Sequence, residues 1–180
     1  MSAALTDTQR RLANIIRIGT IEEADFATAR VKVRFGEILT GWLPFGGQRA
    51  GGMRVWNPPS VGEQVVVLSP SGDLTQGVAI PGLYSDAKPA PGSTGTAVNI
   101  VFPDGSTLSW DGGDLVFTST AAVKIVAPTI RLEGAVTVIG NIDQTGGITS
   151  SGDHVAQGVS LKAHTHGGVM TGGANTAPPN

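Results

Sequence analysis

Residues 134–160 read GAVTVIGNIDQTGGITSSGDHVAQGVS. Glycine stands at 134, 140, 146, 152 and 158, an unbroken step of six. Two residues after each glycine come Val136, Ile142, Ile148, His154 and Ser160. A fixed internal period marks a solenoid-like or fibrous array. A six-residue unit holds one short strand and a turn, with only one or two apolar side chains. A slender ladder of such units in a single chain has no second layer to cover its apolar side, and its strand edges stay open. Both problems vanish when identical chains wind around a common axis. Each chain then supplies one face of a prism, the Val136–Ile142–Ile148 column points inward, and glycine makes the corners. Threefold symmetry closes a three-sided prism, so the repeat predicts a homotrimer.

Two other readings compete. A loose Gly/Thr/Ser-rich tail does not account for the regular apolar column. The left-handed β-helix of hexapeptide acyltransferases uses three hexads per coil, and residues 134–158 supply fewer than two coils.

Continuing the same steps downstream puts His164 on the glycine phase and His166 on the apolar phase, in GVSLKAHTHGG, 158–168. Residues i and i+2 of an extended segment point to one side, so both imidazoles project together. One chain offers two nitrogens, and three chains around an axis offer six, the number an octahedral cage needs. Imidazole suits iron, nickel, copper or zinc rather than calcium or magnesium. Zinc prefers four ligands, which leaves iron(II) or nickel for a six-nitrogen site. Such a closed cage is structural and couples metal binding to assembly. Gly167 and Gly168 permit a reversal, so that VMTGGANTAPPN folds back as a cap. His154 sits in the inward column as a packed histidine and is not assigned as a ligand.

Upstream, residues 18–86 change texture. IGTIEEA, ARVKVRF, EILTGWLPF, EQVVVLSP and QGVAIPGLY each read as a strand, with Val31, Val33 and Phe35 alternating with Lys32 and Arg34. Five strands in a short span fit a closed barrel of the OB type. The long loop GGQRAGGMRVWNPPSVG carries Trp56, and Trp42 and Trp56 read as contact or core residues rather than base-stacking platforms. AKPAPGSTG, 87–95, is a linker. Beyond it, NIVFPDGSTLSWDGGDLVFTST reads as strand, PDG turn, strand, DGGD turn and strand. ALTDTQRRLANIIR, 4–17, reads as a short helix that Thr6 or Asp7 could cap, with Leu12, Ile15 and Ile16 as its apolar stripe and Arg10, Arg11 and Arg17 on a solvated face.

Composition narrows the function. The 180 residues carry a net charge of −2, 5% aromatics and no cysteine. A basic, aromatic-rich nucleic-acid groove is not expected, and neither disulfides nor thiolate metal sites can form. No long apolar segment is present at the N-terminus, so synthesis without a signal peptide is expected. No nucleophile–base set, carboxylate pair or phosphate loop stands out. Asp104, Asp111 and Asp114 lie in glycine-containing turns, where aspartate is common for backbone reasons. Glu22, Glu23 and Asp25 read as a solvated strand edge and loop. A structural protein is expected and an enzyme is not. The alternative is an OB-type saccharide-binding module on a fibrous stalk.

VKVRFGEILTGWLPF followed by VGEQVVVLSPSGDLTQGVAIPGLYS resembles the OB signature of the baseplate assembly protein V family, and GVSLKAHTHGG resembles its apex motif. These are the central spikes of contractile phage tails and phage-tail-like bacteriocins. The resemblance implies an all-β homotrimer: an N-terminal OB-fold barrel, then an intertwined β-helical prism with a pointed apex. It implies residues 1–17 as a helical attachment segment, 18–86 as the OB domain, 87–95 as the linker, 96–160 as the triple-stranded spike and 161–180 as the apex. It further implies one iron ion per trimer, held by His164 and His166 of each chain. Baseplate hub or tail-tube proteins and the target outer membrane are the partners it implies, in a virion or tail-like particle.

Overall fold

The computed structural model describes residues 3–165 and 172. The chain forms two compact units, Met1–Ile125 and Val126–Asn180. Among the described residues, apart from one helix and two 3₁₀ turns, the regular structure is β, as expected.

The first unit opens with α1, Ala3–Asn14. The helix is shorter than the sequence suggests: Ile16 already starts β1, Ile16–Asp25. Its start at Ala3 also puts Thr6 and Asp7 inside it rather than at its cap. Asp7 instead accepts hydrogen bonds from Arg10 at 2.6 Å and Arg11 at 2.8 Å, one helical turn away. Arg17 is not on the solvated face. Its guanidinium donates to Asn14 at 2.9 Å and lies 5.0 Å from the Phe35 ring centroid.

β1 pairs antiparallel with β2, Arg30–Phe35, and with β5, Gln64–Leu68, and β5 pairs with β6, Val78–Leu83. EILTGWLPF forms two short strands, β3, Ile38–Leu39, and β4, Leu43–Pro44, both on β2. Thr40 explains the break. Its N–H donates to the Val33 carbonyl at 3.0 Å, and its Oγ1 accepts from the Val33 N–H at 2.9 Å while donating to the Gly41 carbonyl at 2.8 Å. A side chain thus takes over the ladder for one residue. Just after β4, Phe45 bridges Ala79 of β6 in parallel, which brings the strand path back on itself as a barrel.

The alternation read in VKVRF is the core. Ile21, Val31, Val33, Phe35, Leu43, Val65, Val67 and Ala79 are 0–6% exposed. Fully burying each of the large ones contributes roughly 1.5–3 kcal/mol. A register shift between Ile21 and Glu23 marks a bulge in β1. Glu22 and Glu23 are both exposed there, and both are paired. Arg34 grips Glu22 through two 3.0 Å bonds, and Lys32 reaches both oxygens of Glu23 at 3.0 Å. The solvated edge read from the sequence is therefore a cross-strand ion-pair row. α1 rests on the 3₁₀ turn Pro70–Gly72, where Gly72 has φ +70° and an added Cβ would collide with the Arg11 carbonyl.

The expected three-strand meander follows as β7, Val98–Val101, β8, Thr107–Trp110, and β9, Leu115–Thr118. Asp104 turns the first corner, accepting from the Ser106 N–H at 2.9 Å and its hydroxyl at 3.0 Å.

In the second unit the residues from 126 to 154 form no strand within one chain. Their backbone is nevertheless periodic, since Gly134, Gly140 and Gly146 have φ of +121°, +125° and +116°. The repeat then changes. Gly152 is not in this conformation, and Gly158, at φ +82°, follows Gln157 at +51° in a tight turn. That turn joins β10, Val155–Ala156, to β11, Val159–Ser160. Positive φ at both central residues is the type I′ signature. The six-residue period of the sequence thus corresponds to one backbone conformation only as far as Gly146.

Candidate functional site

The hairpin at 155–160 sets the approach to the histidines. The Leu161 N–H donates back to the His154 carbonyl at 2.9 Å, and the Lys162 N–H donates to the Asp153 carboxylate at 3.1 Å. Hydrogen bonding from the Ser160 hydroxyl, and then from that backbone N–H, holds the Asp153 carboxyl below the ordinary carboxylate range. The Ser160 Oγ also accepts from the Ala163 N–H at 2.8 Å. The Ser160 carbonyl receives the His164 N–H at 3.1 Å.

The same carbonyl lies 2.9 Å from His164 Nδ1. A carbonyl can only accept, so Nδ1 is the donor here, and in the neutral ring Nε2 then carries the lone pair. Orienting an imidazole through one nitrogen while the other ligates is how proteins prepare histidine for a metal. His164 is exposed in the single chain. His166 and the expected C-terminal cap lie outside the described residues. His164 therefore suits an imidazole-only, thiolate-free site for a transition metal. Among the described residues of one chain, no group of three or more metal-ligating side chains converges. His154 is exposed too, and its backbone carbonyl serves the hairpin.

Among the described residues nothing covers the apolar column. Val136, Ile142 and Ile148 are all exposed, and Ile139 is 98% exposed. The tryptophans take contact roles: Trp56 packs on Phe45 with centroids 6.0 Å apart, and the Lys32 ammonium sits 4.7 Å from the Trp42 ring centroid. Sequence reading missed an exposed apolar face outside the barrel. Exposed Ile16 and Ile18 of β1 lie beside exposed Leu68 and half-buried Val66 of β5, with half-buried Val78 and exposed Ile80 of β6 beyond. Its signal was the alternation Ile16, Ile18, Thr20, visible once β1 is seen to begin at Ile16.

Residues 17–84 match the family described as the Type VI secretion system/phage-baseplate injector OB domain, and residues 158–180 match the GpV Apex motif. The chain is 31% identical to the spike protein of Escherichia phage P2 over a 212-residue alignment that covers 98% of each. It belongs to the phage baseplate spike-protein family, and it is a structural protein rather than an enzyme.

Proposed function

We propose that three copies of this chain form the central spike of a contractile tail baseplate, driven point first through the target cell's outer envelope when the sheath contracts. The observation that carries this reading is the uncovered column at Val136, Ile142 and Ile148, set on glycines that share one backbone conformation at 134, 140 and 146. A folded chain does not leave such a column in water without a partner, and two further copies cover it by symmetry.

In this reading His164 and His166 of all three chains hold one iron ion at the apex. Bound there, the ion serves as a structural clamp and takes no part in turnover. The Ser160 carbonyl keeps the His164 proton on Nδ1, and Asp153 and Ser160 brace the loop behind it. A tip that meets a membrane under load gains from such cross-linking, because three free chain ends would fray. α1 and the outer apolar face of the barrel serve attachment to the hub or tail tube. The spike belongs at the baseplate tip of a phage or a phage-tail-like particle.

Mass measurement of the native assembly tests this reading. The expected species is a trimer of 18.3-kDa chains. A folded, monodisperse monomer at micromolar concentration overturns it.

A further inference from the structure

The loop GGQRAGGMRVWN, 46–57, leaves the barrel between β4 and β5. The Gly46 N–H donates to the Ala79 carbonyl at 2.9 Å, which ties the start of the loop to β6. Pro58 and the buried Pro59 stiffen its end. In between, the chain doubles back: Ala50 bridges Arg54 antiparallel, and the Val55 N–H donates to the Arg49 carbonyl at 3.0 Å. Phe45 and Val55 are half-buried, and Trp56 packs on Phe45 at a tilt of 47° while staying 61% exposed. These three side chains, with Arg49, Arg54 and Asn57, line a cleft of about 360 Å³.

We propose that this cleft docks an acidic peptide segment of a partner protein, with carboxylates on Arg49 and Arg54 and an apolar side chain against Trp56 and Phe45. Charge carries the inference. The cations on the barrel strands are all engaged: Arg17 with Asn14 and the Phe35 ring, Arg30 with the Trp42 carbonyl at 3.0 Å, Lys32 with Glu23, and Arg34 with Glu22. Arg49 and Arg54 are exposed, and among the described residues their side chains make no hydrogen bond, ion pair or ring contact. No acidic side chain lines the cleft. Two guanidiniums on one rim without a counter-charge favour a carboxylate, which each can grip through two parallel N–H bonds. The aromatic floor beside them supplies the contact that a bare ion would not use.

Other occupants fit less well. A purely apolar partner would cover both guanidiniums and leave them unpaired, which is costly. Affinity for a nucleic-acid backbone grows with every phosphate neutralised along a groove, and this cleft offers two cations on a chain of net charge −2. The cleft shares no residue with α1, the glycine-repeat column or the histidine apex, so the site stands or falls separately from the assembly of the spike.

Isothermal titration calorimetry on the full-length protein tests the site with two pentapeptides capped at both ends, Glu-Leu-Glu-Phe-Glu and its counterpart Gln-Leu-Gln-Phe-Gln. The glutamate peptide is expected to bind at least about tenfold more tightly than the glutamine one, and less tightly as salt is raised. Arg49→Gln and Arg54→Gln are each expected to weaken its binding about five- to tenfold, and Trp56→Ala about fivefold. The two arginine variants should melt with the wild type, because both side chains are exposed. Equal binding of the two peptides, binding of neither, or binding that survives the double variant Arg49→Gln, Arg54→Gln overturns the site. An oligothymidylate that binds more tightly than the glutamate peptide, and loses that binding in the double variant, makes the cleft a nucleic-acid site and overturns it too. A drop in oligomeric mass on replacing the arginines means that a second copy fills the cleft, which likewise overturns the partner peptide while leaving the spike reading intact.

Discussion

Ser69 is 2% exposed, and its hydroxyl has no hydrogen-bond partner among the described residues. Its backbone does the structural work, because the N–H donates to the Ile15 carbonyl at 2.8 Å where α1 meets β1. An unsatisfied buried hydroxyl costs about 1–3 kcal/mol. Ser69→Ala is therefore expected to raise the stability of the barrel by about 1 kcal/mol in denaturant unfolding, and a loss of stability contradicts it. The paired carboxylates set the acid limit of the same unit. Arg34 hydrogen-bonds Glu22 and holds its carboxyl below its usual range, and Thr28 and Thr75 do the same for Asp25 and Asp73. A group with a depressed folded pKa contributes stability above its unfolded value, roughly 4 for a carboxylate. That contribution is lost as pH falls through the folded value. Thermal unfolding of the barrel should hold steady from pH 7 down to about 5 and decline below about 4. Glu22→Gln should make that decline shallower. A melting temperature that rises between pH 4 and 3 contradicts this.

Among elements, the glycine-repeat segment and the meander solve the same problem differently. The meander binds its own strands. The residues from 126 to 154 form no strand with the rest of the described chain, and in the trimeric reading neighbouring copies supply their strand hydrogen bonds and apolar cover. In the trimeric reading Ile148→Asp would bring three carboxylates into a narrow apolar interior without counter-charge, far costlier than losing one apolar side chain. The shaft of that variant is expected to loosen, seen as faster protease cleavage within 126–160 than in wild type. Unchanged cleavage means that the Ile148 column faces solvent. Strand reading worked best where side chains alternate over several residues, as in Val31–Phe35. It failed at EILTGWLPF, where Thr40 substitutes for a strand bond, because one hydroxyl's geometry leaves no periodic trace. It also missed the type I′ turn at Gln157–Gly158, which the regular glycine spacing masked.

For the whole molecule, the decisive quantity is metal per assembled particle. Elemental analysis of the purified protein is expected to find about one iron per three chains, and none in the double variant His164→Ala, His166→Ala. Imidazole must be neutral to ligate, so acid is expected to release the ion. One metal per chain, or undiminished metal in the double variant, returns the two histidines to an ordinary solvated pair.

Read alone, the sequence carried the barrel strands, the meander, the six-residue glycine period and the histidine pair. Each of these is local: alternation, turn chemistry and spacing are properties of a few neighbouring residues. Matters that join distant residues needed the tertiary structure. Closure through Phe45 and Ala79, the Glu22–Arg34 row beyond a bulge and the burial of Ser69 depend on register, which no single segment specifies. The His164 proton was placed by the Ser160 carbonyl, four residues away but brought near only by the hairpin. Only the folded chain also separated apolar residues that find cover within it, such as Val65 and Val67, from those that do not, such as Ile139 and Leu115. Hydropathy is a property of a residue, whereas burial belongs to the packing around it.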